Sequence, residues 1–407
     1  MNEETYAYWL SALSGAGAAT CHRLLEYAGS FRGIWELSER ELRSPQLHLT
    51  QQRIRELLDS KDEVRVIREW NALRDLGIEF YHLRHPMYPS RLRFIYDAPI
   101  GIFLKGRLPD PDVVSVAIVG SRGCSEYGAR ITRQLAMQLA DSGFQVISGL
   151  ARGIDGIAQK AAVDSGGYSC AVLGCGVDVC YPEDNRDTYD KLATLGGILS
   201  EYPPMTPPRS AYFPQRNRII SGLSDVVVVM EAKERSGSLI TADCALDQGK
   251  DVYALPGRIC DSLSCGCNRL IRQGAGIITS PGEFINDLIL AHGTSLANGL
   301  PRDTGPSDVT DAAAPRQMNP AESPGTDGIP DARAPRQMTL AESLGTDDVE
   351  RRILSVLGMD PKGINEIQDE TGLEVGSLMK GLMKLTVRGV ILQNSGRYVT
   401  GGDFRPC

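Results

Sequence analysis

The feature that most limits how this chain can fold is a series of short apolar runs between Val113 and Gly293. They read "VVSVAIVG", "FQVISG", "SCAVLGCG", "GILSEY", "DVVVVMEA", "DVYALPG" and "GIITS". Amphipathic segments separate them. A run rich in β-branched residues with no polar alternation is buried on both faces, so it belongs to a parallel sheet covered by helices. Strands alternating with helices in this way give an α/β fold: a doubly wound, mostly parallel Rossmann-like sheet.

The flanking segments follow other patterns. Residues 1–61 have apolar residues at helical spacing, interrupted by "SGAG". That pattern suits a helical domain of the helix-hairpin-helix or SAM-like kind, whose Gly-rich turn either binds a nucleic-acid phosphate or only packs. Residues 62–111 read as a connecting helix and a Pro-punctuated extension, "HPMYPSRLRFIYDAPIGIFLKGRLPDPD", packed on the core. Residues 112–293 form the Rossmann-like domain. Residues 294–346 read as a disordered linker. It carries a 20-residue duplication, "APRQMNPAESPGTD" at 314–327 and "APRQMTLAESLGTD" at 334–347. With few large apolar residues, it cannot offset its own ordering entropy. Residues 347–400 read as a winged helix, with a recognition helix near 374–388 carrying Lys380, Lys384 and Arg388.

Charge and cysteine usage narrow the classes. The net charge of −8 argues against a histone-like binder, but leaves room for a local basic groove. No apolar run is long enough to span a bilayer, so no membrane partner is expected. The acidic start "MNEETYAYWL" lacks the features of a signal peptide, and a cytoplasmic location is expected. The ten Cys are expected to be reduced. Neither Cys170/Cys175/Cys180 nor Cys260/Cys265/Cys267 has paired zinc-site spacing, so no metal is expected.

In an open parallel sheet, ligands bind beyond the carboxyl ends of the strands. The loops there carry the chemistry. The first turn holds Gly120, Ser121 and Arg122, where glycine lets amides approach an anion and arginine adds a fork of donors. The second, "SGLARGIDG", holds Gly149 and Gly153, with Asp155 expected to cap the next helix. The turn "SGSLIT" holds Ser236, Gly237, Ser238 and Thr241. The run "RSAYFPQRNRIISGL" holds Phe213, Arg216, Asn217 and Arg218. Aromatic faces stack on bases while arginines neutralise phosphates, as single-stranded nucleic acid requires. The alternative is that Phe213 is core and the arginines pair with acids. Asn217 suits fixing the loop better than reading a base.

Other nucleotide chemistries lack their residues. No Lys follows the first glycines, as a P-loop needs. The first turn lacks G-x-G-x-x-G, and the second strand ends in Ser148-Gly149 without a ribose-binding acid, so no dinucleotide cofactor is expected. There is no G-x-S-x-G elbow, and none of the five His falls in the sheet loops.

Taken in order, "VGSR…YG", "SGLARGID", "G.GVD..YP", "LSEYPP", "FPQRNRIISGLS", "SGSLIT", "ALPG" and "N.LI..GA" strongly resemble the DNA-processing protein A family, DprA or Smf. The resemblance implies a non-enzymatic protein that binds and protects single-stranded DNA. It implies loading of the RecA recombinase in natural transformation, and a homodimer formed through the Rossmann-like domain. The family's phosphate-binding arginine maps to Arg122, and its aromatic ahead of the RNR motif maps to Phe213. The family usually has Ala-His where this chain has Ala158-Gln159. The sheet also resembles a wider superfamily of nucleoside phosphate hydrolases, the alternative reading, but Cys244 stands where their catalytic Glu belongs. A third reading is a recruiting scaffold that binds RecA without DNA.

Overall fold

All of the apolar runs form strands, and two more strands precede them. In chain order they are β1 (Glu79–His82), β2 (Gly101–Gly106), β3 (Ser115–Val119), β4 (Gln145–Ser148), β5 (Ser169–Leu173), β6 (Gly197–Ser200), β7 (Val226–Val229), β8 (Asp251–Ala254) and β9 (Gly276–Ile277). The computed structural model describes residues 1–13, 17–292, 348–357, 362–387, 391–394 and 397–400. The sheet order is β1-β2-β6-β5-β4-β3-β7-β8-β9. Neighbours from β6 through β9 are parallel. β2 lies antiparallel to β6, and β1 antiparallel to β2.

The helices are α1 (Glu3–Ala12), α2 (Ala18–Ala28), α3 (Phe31–Glu36), α4 (Glu39–Leu42), α5 (Gln51–Asp59), α6 (Glu63–Asp75), α7 (Ser90–Arg93), α8 (Glu126–Asp141), α9 (Ile154–Asp164), α10 (Arg186–Leu195), α11 (Tyr212–Gly222), α12 (Gly237–Asp247), α13 (Cys265–Arg272) and α14 (Pro281–His292). The side chains of β3 show how the sheet is covered. Val116 and Ile118 pack with α8, α9 and α14, while Ala117 and Val119 pack with α11, α12 and α13. Both faces of the strand are therefore core, as its unbroken apolar run requires.

The Pro-punctuated extension is more than a connection. It supplies β1 and β2 to the sheet edge, and α7 to the bottom of α11. Arg91 of α7 donates Nε and Nη2 to the two oxygens of Asp225 at 3.0 and 2.9 Å. Asp225 also accepts from the Ser115 amide. This clasp joins the extension to the starts of β3 and β7. The N-terminal helices share one core with this edge: Trp9, Phe31, Phe80 and Phe103 belong to a single cluster with Leu173 and Ile198. The helix starts are capped by Asn2, Ser30, Ser38, Thr50 and Asp62, each worth about 1 kcal/mol. Of the expected hairpin turn, residues 14–16 lie outside the described residues.

The chain divides into two compact units, residues 1–304 and 305–407. In the second, α15 (Asp348–Val356), β10 (Lys362–Gly363), α16 (Ile364–Thr371), α17 (Val375–Val387), β11 (Ile391–Asn394) and β12 (Arg397–Thr400) form three helices and a sheet of order β10-β12-β11. α17 is the expected recognition helix. Lys380 is exposed on it, while Lys384 lies 3.8 Å from the buried Glu350 carboxylate. The duplicated linker and Arg388 lie outside the described residues.

Candidate nucleic-acid interface

The strand order places the site. From β3 the chain moves outward through β4, β5 and β6, then returns to the other side of β3 as β7. The loops leaving β3 and β7 therefore diverge, and a crevice opens between them. Glu231, just past β7, spans that crevice at its base. It accepts hydrogen bonds from the amide and hydroxyl of Ser125, the N-cap of α8. Gly128 leaves the room this needs, since a Cβ there would lie 2.4 Å from the Glu231 carboxylate.

The loop after β4 is held from several sides. Gly153, the N-cap of α9, has φ 74° and ψ −129°, and a Cβ on it would lie 2.3 Å from the Ser121 carbonyl. Leu150 has φ 53°. Asn185 donates to the carbonyls of Leu150 and Ala151 at 2.9 and 3.1 Å. Gln159 accepts from the Leu150 amide at 2.8 Å and donates to Ser169 Oγ at 3.2 Å, fully buried. Gln159 is thus a brace for this loop, well away from solvent. Gln159→Leu is expected to leave the Leu150 amide without a partner and to lower unfolding free energy by about 1–3 kcal/mol. Urea denaturation of the two proteins checks it.

Asp155 sits inside the first turn of α9 rather than at its cap, which is Gly153. Its carboxylate accepts from the amides of Gly120, Gly149 and Ala151, so it fastens the β3 loop to the β4 loop. Burial raises its carboxyl above the ordinary range, and the neighbouring Arg216 guanidinium opposes that. Arg216 is itself buried. It donates Nη1 to the Gly149 carbonyl at 2.9 Å and also to the Val172 carbonyl. Its Nε has no partner among the described residues.

Above this floor lies a cleft of about 610 Å³. Arg122, Phe213 and Tyr181 line one part, and Lys233, Arg235 and the α12 N-terminus another. The Arg122 guanidinium stands 5.1 Å from the centre of the Phe213 ring. Phe213 stacks on Tyr181 at 5.7 Å. Arg122, Lys233 and Arg235 are exposed, and none is in an ion pair among the described residues. Ser236 caps α12, accepting from the Ser238 amide, and Asn217 donates to the Gly237 carbonyl at 3.1 Å. The arrangement offers positive charge, hydroxyls and a helix N-terminus at one end, and aromatic surface at the other. Such a cleft suits a phosphate joined to a base. Among the described residues that line it, Asp155 is the one carboxylate and there is no His or Cys.

Gly120, Ser121, Arg122, Phe213, Arg216, Asn217, Ser236, Gly237, Ser238 and Thr241 all line the cleft, as the sequence suggested. Three of the expected site residues, Arg218, Gly149 and Gly153, stand apart from the cleft lining. Arg218 is absent from its lining and has its charge balanced inside the protein. It donates Nε to Asp97 and Nη2 to Glu201, each at 2.7 Å. Gly149 and Gly153 hold the loops close instead of baring amides. A Cβ at Gly149 would lie 2.2 Å from the Arg216 guanidinium. Asn217 fixes α11 to α12, as its amide suggested. Cys244 lies outside the cleft beside Asp97 and Arg218, and burial pushes its thiol up. Sequence reasoning missed Tyr181, Lys233 and Arg235. All three follow carboxyl ends of strands, and that position was the available clue.

The family described as DNA recombination-mediator protein A matches residues 79–289, a span that begins at β1. The DprA winged helix domain matches residues 334–397. The chain is 47% identical to the DNA processing protein DprA of Streptococcus pneumoniae over 49% of its own length and 70% of that protein. It is 30% identical to protein Smf of Synechocystis over 98% of its own length and 99% of that protein. The X-ray structure of the Streptococcus pneumoniae protein superposes with a TM-score of 0.61 at 35% identity, covering 70% of this chain and 99% of that one. With a cleft built from the loops that carry the motifs, and a match over both units of the chain, this protein belongs to the DNA recombination-mediator protein A family, DprA/Smf.

Proposed function

We propose that this protein binds single-stranded DNA in the cleft at the carboxyl edge of its sheet and passes it to a recombinase. The carrying observation is the exposed trio Arg122, Lys233 and Arg235 around a cleft that also holds an aromatic stack. Phosphates meet the three cations, the Ser121 and Ser238 hydroxyls and the α12 N-terminus, and a base meets the aromatic end. Arg216 holds the floor beneath them through the Gly149 and Val172 carbonyls. A duplex would keep its bases stacked on one another, so a site that couples phosphate to an aromatic face favours a single strand.

The family's description as a recombination mediator supports the next step. A bound strand is shielded and loaded onto a RecA-type recombinase, with two copies of the chain pairing through the sheet domain. DNA and recombinase meet in the cytoplasm, where this protein would act. It does so without catalysis: Asp155, the acid within reach, is tied up by backbone amides and Arg216.

Anisotropy with oligo-dT and a matched duplex tests the reading across a salt series. The expected result is tighter binding of the single strand. Log affinity should fall against log salt with a slope of about −2, from three neutralised phosphates at about 0.7 each. Binding without salt dependence, or release of base from nucleoside monophosphates at the same cleft, overturns it.

A further inference from the structure

A second cavity, of about 580 Å³, adjoins the cleft. The two share Arg122, Ala151, Tyr181 and Phe213. Beyond that common wall their chemistry differs. The cleft continues into Lys233 and Arg235, whereas the cavity continues into Pro182, Glu183 and Asp184. Its acids are balanced locally. Asp184 takes Arg152 Nε at 2.6 Å, and Glu183 takes Arg186 Nη2 at 2.9 Å. Apart from Arg122 on the shared wall, a phosphate entering this cavity would find no unpaired cation among the described residues that line it.

A nucleobase would find what it needs. Tyr181 is 42% exposed, the most open ring at the site. Phe213 is more covered, with the Arg122 guanidinium against its face and Tyr181 stacked at 5.7 Å. A base adding to this stack therefore does so on Tyr181. Carboxylates are acceptors only, and each has about four lone-pair sites, so one arginine does not saturate it. Cytosine, adenine and guanine carry an exocyclic amino group that can donate to them. Thymine and uracil place carbonyl oxygens there, and those oppose the carboxylates.

We propose that this cavity is a nucleobase site in which Tyr181 supplies the stacking face and Glu183 and Asp184 select bases bearing an exocyclic amino group. The proposal rests on the single-strand reading above and adds a base preference to it. Phosphate in the cleft and base in the cavity lie on either side of Arg122, so one nucleotide can occupy both.

The test uses the full chain, with oligo-dC and oligo-dU of equal length at one salt concentration. The two pyrimidines differ in the amino group and the N3 proton, and neither has a methyl. The parent protein is expected to bind oligo-dC at least about fivefold more tightly than oligo-dU. The double variant Glu183→Gln, Asp184→Asn should bring that ratio near unity while affinity for oligo-dU holds or rises. Tyr181→Ala should weaken both ligands with no change in unfolding temperature. Equal affinity in the parent, or a preference that survives the double variant, overturns the base site and leaves the DNA reading standing. Binding to neither oligonucleotide overturns both.

Discussion

Arg122→Ala is expected to bind oligo-dT at least about tenfold more weakly than the parent chain, and to unfold at the same temperature. Arg122 is exposed on the loop after β3 and has no carboxylate partner among the described residues. Its guanidinium stands 5.1 Å from the centre of the Phe213 ring. A surface cation of this kind contributes little to folding, so its removal should stay within about 0.5 kcal/mol of stability. A charge-assisted hydrogen bond to a phosphate contributes about 1.5–3 kcal/mol, hence the tenfold or greater loss. The salt slope should also shrink by about 0.7, the share of one phosphate. Arg122→Lys keeps the charge and loses the planar fork, so it should fall between the two. Parent-like affinity in Arg122→Ala would remove Arg122 from the site.

The sheet was legible because burial on both faces leaves a mark in sequence. "DVVVVMEA" has no polar alternation because Val226 to Val229 are core on both sides. β1 and β2 were not legible. "EFYH" is short and lies at the sheet's edge, and "GIFLKG" follows a stretch punctuated by proline. What makes them strands is antiparallel pairing, β2 to β6 almost a hundred residues away in sequence and β1 in turn to β2.

The site divides in the same manner. Arg122 could be read from its own turn, since Gly-Ser-Arg after a strand is local chemistry. Lys233 and Arg235 could not, because they join Arg122 only once β7 lies beside β3, and no local pattern encodes that pairing. Arg216 and Arg218 show the opposite difficulty. In sequence they are equivalent cations two residues apart. In space Arg218 meets Asp97 and Glu201, drawn from the extension and the β6 loop, while Arg216 meets Asp155 under the β4 loop. Charge count alone does not tell an internal ion pair from a ligand site.

Arg216 therefore makes the sharpest test of what the cleft is built on. Arg216→Met keeps much of the side chain's volume and removes its charge and donors. It leaves the Gly149 and Val172 carbonyls short of a donor, and it leaves the Asp155 carboxylate buried beside no cation. Removing one partner from a buried charge pair costs about 3–5 kcal/mol, because the other charge stays uncompensated. For a unit of this size each kcal/mol moves the unfolding midpoint by about 1.5–2 °C, so a fall of about 5–10 °C is expected. Asp155→Asn should cost less alone, since the amide still meets part of the loop. In the double variant, Asp155→Asn should recover part of the Arg216→Met loss, because the unpaired charge is gone. Calorimetry on the four proteins measures that coupling. A near-normal midpoint in Arg216→Met, together with a reduced salt slope for oligo-dT, would show that this guanidinium faces DNA and that the loops are held by Asp155 and the backbone alone.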